Sequence, residues 1–138
     1  MLFGANFQKT IKDLAAKNSW KINDINADRA ELLFDTPAGE QMLEIFQHED
    51  GETLEFTASL QGGYDNEEDM PHEVSTMLLR RNWDLELGQW CIDEDGGQLF
   101  FTCAYNVVMS DLNPEFFAEI VAALVQETAE VEGMTAEE

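Results

Sequence analysis

Two segments in which apolar residues alternate with other residues flank the glycine pair Gly96-Gly97. They restrict the possible folds more tightly than any other part of the chain. The Asp95-Gly96-Gly97 sequence between them is typical of a tight hairpin turn, because glycine readily adopts the positive φ that such turns need. A turn at Asp95-Gly96 or at Gly96-Gly97 aligns the apolar side chains on one face, namely Trp90, Ile92, Leu99, Phe101, Cys103 and Tyr105. We therefore predict a β-hairpin at the centre of an antiparallel sheet.

The same register separates the two cysteines of the chain. Cys91 falls on the face opposite Cys103, so no disulfide between them is expected, in agreement with a reducing compartment. Phe100, Cys91 and Ala104 make the second face of the hairpin more apolar than a solvated surface requires. This composition favours either a second covering layer or a subunit contact, and the sequence leaves both open.

A clear helix start follows the hairpin. Asn113 is a favourable N-cap residue, and Pro114 suits the first helical position. A wide apolar stripe follows at helical spacing, formed by Phe116, Phe117, Ile120, Val121, Leu124 and Val125. We predict that this helix covers the sheet and that the domain ends near residue 128. Residues 129–138 are acidic and small, and they are predicted to form a flexible tail.

Residues 1–82 predict five further elements. A first helix, capped by Asn6, is expected to run to about Asn18, and a second from Pro71 to about Asn82, with an irregular polar stretch after Trp20. Alternation predicts strands around 30–34, 42–47 and 54–60. In the second strand, Leu43 and Ile45 lie on one face and Met42 and Phe46 on the other. Because both faces are apolar, we expect both to be covered. The third strand has one apolar face and one polar, outer face. The prediction is a single α+β domain over residues 1–128, in the order αβββαββα, with an antiparallel sheet packed against helices.

The charge of the chain excludes several classes of partner. It contains 29 acidic residues against 7 basic ones, for a formal net charge of -22. Such a chain repels phosphate backbones and anionic lipid surfaces, so neither nucleic acid nor membrane is an expected partner. The electrostatic field of this negative charge attracts basic segments of other proteins. Alternatively, the charge only keeps the protein soluble. The N-terminus lacks the features of a signal peptide, and no membrane span is present, so we expect a cytoplasmic protein.

Motifs that carry catalysis or cofactor binding are absent from the sequence. The glycine-rich nucleotide-binding loops do not occur, and two cysteines with His48 and His72 do not form a zinc-binding pattern. The acidic run at 65–69 resembles the start of a calcium loop, but Met70 occupies the position that requires glycine. His72 and Ser75 lack an identifiable orienting acid and oxyanion hole. We therefore predict no catalytic residue, no cofactor and no metal, and a protein that is not an enzyme.

Motifs within residues 77–126 resemble a known family. The sequence Leu78-Leu79-Arg80-Arg81-Asn82-Trp83, followed by Leu85-Glu86-Leu87-Gly88, is similar to the YbjN-domain family, and Ile92 to Gly96 and Leu112-Asn113-Pro114-Glu115 continue the match. The order of elements resembles the type III secretion chaperone-like fold. This resemblance implies a compact domain that binds other polypeptides without catalysis and often dimerises. It supplies no active site.

These observations lead to one main hypothesis and two alternatives. The main hypothesis is a non-catalytic chaperone-like or regulatory module that binds a partner polypeptide and forms a homodimer. Met77, Cys91 and Phe100 are the candidate residues for the partner or dimer contact. One alternative is a small-ligand binder or enzyme with a pocket under the last helix. The other is an acidic inhibitor of a basic partner protein.

Overall fold

The computed structural model describes residues 3–135, with side chains from Asn6 onward. Three α-helices and six strands form within these residues. The helices are α1 (Phe3–Lys17), α2 (His72–Asn82) and α3 (Pro114–Thr135). The strands are β1 (Ile22–Ile25), β2 (Arg29–Thr36), β3 (Gly39–Gln47), β4 (Thr53–Ser59), β5 (Gln89–Asp95) and β6 (Gln98–Val108). The predicted α+β class is confirmed.

The six strands form one antiparallel sheet in the order β1-β2-β3-β4-β6-β5. All three helices pack on one face of this sheet, because alternate residues of each strand present apolar side chains to that side. α3 lies across β3, β4 and β6, α1 packs beside α3, and α2 lies against β5. The buried core fills the space between the layers and includes Phe7, Ile11, Leu32, Leu43, Ile45, Phe56, Phe117 and Leu124.

The hairpin has the predicted register but a different place in the sheet. Asp95 pairs with Gln98, and Gly96 and Gly97 form the turn with φ of 60° and 80°. Both positive angles correspond to the two-residue turn that matches the strand twist. Trp90 pairs with Cys103, so Cys91 lies on the opposite face from Cys103, as predicted. The hairpin nevertheless lies at one end of the sheet, because β5 is the last strand and β6 pairs with β4.

The predicted start of α3 at Asn113 and Pro114 is confirmed. The predicted end near residue 128 is wrong. Asn113 Oδ1 accepts a hydrogen bond from the Phe116 backbone N–H at 2.8 Å, and Pro114 opens the helix. α3 continues through Thr135, because Thr128 and Val131 are fully buried and extend its packing face beyond residue 128. The stretch predicted as a tail from residue 129 is therefore helical as far as Thr135. Residues 136–138 lie outside the described residues.

Three other features differ from the predictions. The predicted order is confirmed, but the polar stretch after Trp20 contains the short strand β1, which pairs with β2 through an irregular register between Ile22 and Asp24. α1 begins at Phe3, so Asn6 lies within the helix and is not its cap. The prediction that β3 is covered on both faces is wrong, since no described element lies over its second face and Met42 is 42% exposed.

Candidate functional site

The second face of the sheet, opposite the helices, is concave and open. Its strands present alternate side chains to solvent, and the cumulative strand twist bends the face into a trough of about 860 Å³ that runs from β2 to β5. We call this the open-face trough. Its lining includes Leu33, Met42, Phe46, Thr57, Ser59 and Phe100. None of these side chains is needed to fill the core between sheet and helices.

Small side chains form the floor of the trough. Thr57 and Ser59 lie on β4 and Thr102 on β6, the two central strands of the trough, and Thr57 pairs with Ala104. The hydroxyls of Ser59 and Thr102 lie 2.8 Å apart and form a hydrogen bond. Because Thr57, Ser59 and Thr102 are short and lie next to one another, this part of the face is recessed relative to the longer side chains around it.

Apolar side chains line the two sides of this recess. Leu33 and Met42 pair across β2 and β3 and are 37% and 42% exposed. Phe46 lies two positions beyond Glu44 on β3, and Phe100 lies on β6; both are half-buried. Exposed apolar side chains grouped on one sheet face are a feature of surfaces that contact another molecule. The trough therefore offers apolar contact area that the described chain leaves unused.

Acidic side chains surround the apolar area. Glu40 lies at one end of β3, Glu55 on β4, and Asp93 and Asp95 on β5, all lining the trough. No described Lys or Arg forms an ion pair with any of these four. The trough consequently combines an apolar interior with an uncompensated negative rim.

Arg29 is the basic residue in the lining of the trough, and its charge is already balanced. Its Nε donates to Glu44 at 2.6 Å, and its Nη2 donates to Glu31 at 2.8 Å, with Asp24 also near. The hydrogen bonds from Arg29 and Asn23 lower the pKa of Glu31. Because β2 and β3 pair Glu31 with Glu44 directly, Arg29 bridges two carboxylates that would otherwise repel each other.

Cys91 lies on the open face beside the acidic rim. Its thiol donates to the Thr102 carbonyl at 3.3 Å. Partial burial raises the pKa of the Cys91 thiol, and the carboxylates of Asp93 and Glu55 raise it further. The pKa of Cys103, buried on the helix side, rises to about 12, mainly through burial. Neither thiol has the lowered pKa that a nucleophilic cysteine requires.

A second exposed apolar surface lies at the C-terminal end of α2. Leu79 and Trp83 are 68% and 91% exposed and stand four residues apart, so they share one side of the helix. Asn82 fixes this end of α2 to β5, since its side chain accepts from the Trp90 N–H at 2.6 Å and donates to the Trp90 carbonyl at 3.2 Å. Ile92, 51% exposed, lies two residues further along β5. We call Leu79, Trp83 and Ile92 the α2–β5 patch.

The three residues predicted to form a partner or dimer contact do not lie together. Cys91 and Phe100 are diagonal neighbours on β5 and β6 and both face the open side. Met77 is half-buried on α2, on the helix side, and packs against the core. Sequence reasoning did not identify Leu33 as a site residue, because its place beside Phe100 in the trough depends on the order of the strands in the sheet. The one sequence feature that indicated this surface was the apolar second face of the hairpin, at Cys91 and Phe100.

Residues considered for catalysis or metal binding are dispersed over the surface. His48 and His72 are both exposed, the first in the loop between β3 and β4 and the second at the start of α2, and Ser75 Oγ donates to the carbonyl of Pro71, just before α2. Residues 65–69 form an exposed turn in which Asn66 caps Glu67–Asp69. Within the described residues, no three His, Cys, Asp or Glu side chains are grouped so as to hold a metal ion. None of the helices in the described range is both long and apolar enough to span a membrane.

Comparisons with known proteins identify the fold. No family model matches the chain, and no curated protein matches it, so the resemblance to the YbjN-domain family stays a prediction. Among solved structures, a chain of the HopA1–SchA chaperone–effector complex is similar with a TM-score of 0.63 and 12% identity, over 92% of this chain and 91% of that one. A chain of the ExsC–ExsE complex is similar with a TM-score of 0.64 and 17% identity, over 93% and 92%. The chain therefore has the predicted type III secretion chaperone-like fold.

Proposed function

We propose that this protein is a non-catalytic, chaperone-like module that holds an extended segment of a partner polypeptide in the open-face trough. The observation that carries the proposal is the apolar lining of the trough, above all Leu33 and Met42, which no described part of the chain covers. The similarity in fold to a chaperone–effector complex supports the same role.

The shape of the trough suits an extended chain better than a helix. An extended segment can lie along a sheet face at the usual inter-sheet spacing of about 10 Å, with alternate side chains directed into the recess. β5 forms the edge of the described sheet next to the trough. Asn82 occupies the outer N–H and C=O groups of Trp90, so the part of β5 beyond Trp90 would pair with the same segment. A partner segment could therefore be bound both by its side chains in the recess and by backbone hydrogen bonds to β5.

The trough also separates this function from the alternatives. An acidic inhibitor would need only surface charge, whereas this face combines charge with exposed apolar side chains. A small-ligand enzyme would need converging reactive groups with altered pKa values. In the described residues, the lowered carboxyl pKa values belong to Glu31, Asp50 and Glu127, each of which is satisfied by hydrogen bonds within the fold.

We propose further that the protein is a cytoplasmic homodimer. The α2–β5 patch supports the dimer, because exposed apolar residues that lie together, as Leu79 and Trp83 do on one side of α2, are typical of a contact with another protein surface. Light scattering of the wild type and of Trp83→Glu tests this. A dimer that dissociates in the variant is the expected result, and a monomeric wild type at high concentration would exclude it. The separation of Cys91 from Cys103, which prevents a disulfide between them, is compatible with the cytoplasm.

Co-purification from the source cells tests the main proposal. Tagged wild type is compared with Met42→Glu, which places a charge in the apolar area at little cost in stability since the side chain is 42% exposed. Ala16→Glu on α1 is the matched control, since Ala16 is exposed and lies outside the trough. We expect a specific polypeptide to accompany the wild type and the control but not Met42→Glu. A partner that is retained equally by all three would place binding elsewhere.

A further inference from the structure

We propose that the open-face trough selects a cationic amphipathic segment of another protein, in which Lys or Arg alternates with apolar residues along the side that faces the sheet. This inference rests on the proposed function, because it specifies the chemistry of the segment that the trough would hold. It follows from the arrangement of charge and apolar groups within the trough and does not require any knowledge of the partner.

Acidic and apolar side chains alternate along a single strand. The open face of β3 presents Glu40, Met42, Glu44 and Phe46 in that order, because every second residue of a strand points to the same side. Neighbouring side chains of this row are separated by about 6.6 Å. Glu44 is already paired with Arg29, so a segment that lies along β3 would match the row by placing a cation at Glu40 and apolar side chains at Met42 and Phe46.

The opposite side of the trough repeats this combination. Phe100 on β6 pairs across the hairpin with Asp93 on β5, and Gln98 pairs with Asp95. Phe100 is therefore next to the unpaired carboxylates of Asp93 and Asp95, as Met42 is next to that of Glu40. Cations of a bound segment could reach carboxylates on both sides while its apolar side chains occupy the recess between them.

Few basic side chains of this chain are placed to balance the charge of the negative rim. Arg29 is held by Glu31 and Glu44 and cannot also pair with Glu40, Glu55, Asp93 or Asp95. The lysines of the chain lie between Lys9 and Lys21, within and just after α1, on the helix side of the sheet. Placing an anionic segment against this rim would add like charges, which is unfavourable.

A second copy of this chain fits the trough poorly. Each copy carries a formal net charge of -22, so contact through the acidic face opposes association. α1 bears lysines, but its apolar residues Phe7, Ile11 and Leu14 are buried in its own core and cannot also enter a trough. The favoured occupant is a segment from a different protein that brings both the cations and the apolar side chains.

Synthetic peptides of the length of β3 test this specificity on the full-length protein. The first has Lys and Leu alternating at every second position with Ser between them. The second replaces each Lys by Glu, and the third replaces each Leu by Ser. Binding is measured by fluorescence anisotropy at low and at high sodium chloride, with wild type, Met42→Glu and two variants that each remove three negative charges. The rim variant carries Glu40→Gln, Asp93→Asn and Asp95→Asn. The outer variant carries Asp84→Asn, Glu86→Gln and Glu119→Gln, at three exposed residues outside the trough.

We expect only the Lys–Leu peptide to bind wild type, and to bind more weakly at high salt. The rim variant should lose about tenfold in affinity, since each exposed ion pair contributes modestly, while the outer variant changes little. An equal loss in both charge variants would mean that net charge alone attracts the peptide, and would overturn the inference. If the Glu–Leu peptide binds equally well and Met42→Glu abolishes both interactions, the proposed function stands and the cationic specificity fails. Binding of no peptide to wild type, or binding that Met42→Glu leaves unchanged, counts against both.

Discussion

Arg81 and Glu127 form a two-pronged ion pair that joins α2 to α3. Arg81 Nε donates to Glu127 Oε2, and Arg81 Nη2 donates to Oε1, each at 2.7 Å. Trp90 Nε1 on β5 donates to the same carboxylate at 2.7 Å. Glu127 is 7% exposed, so three elements meet at one buried carboxylate. This connection positions α2 against β5, the strand that forms one side of the open-face trough.

Glu127→Ala should destabilise the fold by about 3 kcal/mol. The substitution leaves the Arg81 guanidinium and the Trp90 N–H without their buried acceptor, and breaking a buried pair costs more than the pair itself contributes. Urea unfolding followed by tryptophan fluorescence measures the change. Glu130→Ala is the matched control, because Glu130 lies 3.3 Å from Arg81 but is 64% exposed, and its removal should cost no more than about 0.5 kcal/mol. Equal losses in the two variants would contradict the central role of Glu127.

The same carboxylate predicts a pH dependence. Hydrogen bonds from Arg81 and Trp90 hold the pKa of Glu127 below its usual value of 4.5, against the opposing effect of burial. The folded state therefore binds this proton less readily than the unfolded state does. The stabilisation is fully present above the unfolded pKa and is lost as the pH falls through the lowered folded pKa. The difference in unfolding free energy between wild type and Glu127→Gln should shrink on acidification below about pH 4.5. A difference that stays constant down to pH 2 would refute the assignment.

Gly88 should tolerate no side chain. Its φ is +91°, and a Cβ there would lie 2.6 Å from Leu124 Cδ2 and 3.3 Å from Cys103 Sγ. We expect Gly88→Ala to lower the unfolding free energy by about 3 kcal/mol, from backbone strain together with overpacking against α3. Gly39→Ala is the control, since Gly39 has φ of +110° with no atom within 4 Å of the added Cβ. It should cost only the strain, about 1 kcal/mol. Indistinguishable melting curves for the two variants would exclude the close approach at Gly88.

Arg29 should stabilise the open face by separating two carboxylates. In Arg29→Gln, Glu31 and Glu44 remain directly paired across β2 and β3 without the bridging cation. We expect a loss of about 1 kcal/mol, part of which returns at high salt because like-charge repulsion is screened. Lys9→Gln removes an exposed pair with Asp13 and should have almost no effect. Thermal unfolding at two salt concentrations distinguishes the variants, and a salt-independent loss would argue against repulsion as the cause.

Local sequence patterns were sufficient to predict the hairpin and the start of α3. The alternation from Trp90 to Tyr105 and the glycine pair determined the register, because a shift by one residue would expose the apolar set. Asn113 and Pro114 marked the helix start through a cap that involves only neighbouring residues. Such features depend on contacts within a few residues, and the sequence displays them directly.

Features that depend on distant parts of the chain could not be predicted in the same way. β1 is short and pairs irregularly with β2, so its residues show no clean alternation. Arg81 and Glu127 stand 46 residues apart, and nothing in a sequence with 29 acidic residues distinguishes Glu127 from the rest. The trough arises because all three helices cover the same face, which leaves Leu33, Met42 and Phe100 from three strands together on the other.

Photo-crosslinking from position 42 tests most directly whether the open face holds a partner polypeptide. A photoreactive phenylalanine analogue replaces Met42 in one protein and the exposed Glu119 of α3 in another, and both are irradiated in the source cells. We predict a discrete crosslinked product from position 42, with the crosslink mapped to one short segment of the partner, and no such product from position 119. Equal crosslinking from both positions, or a product from position 119 alone, would contradict the account.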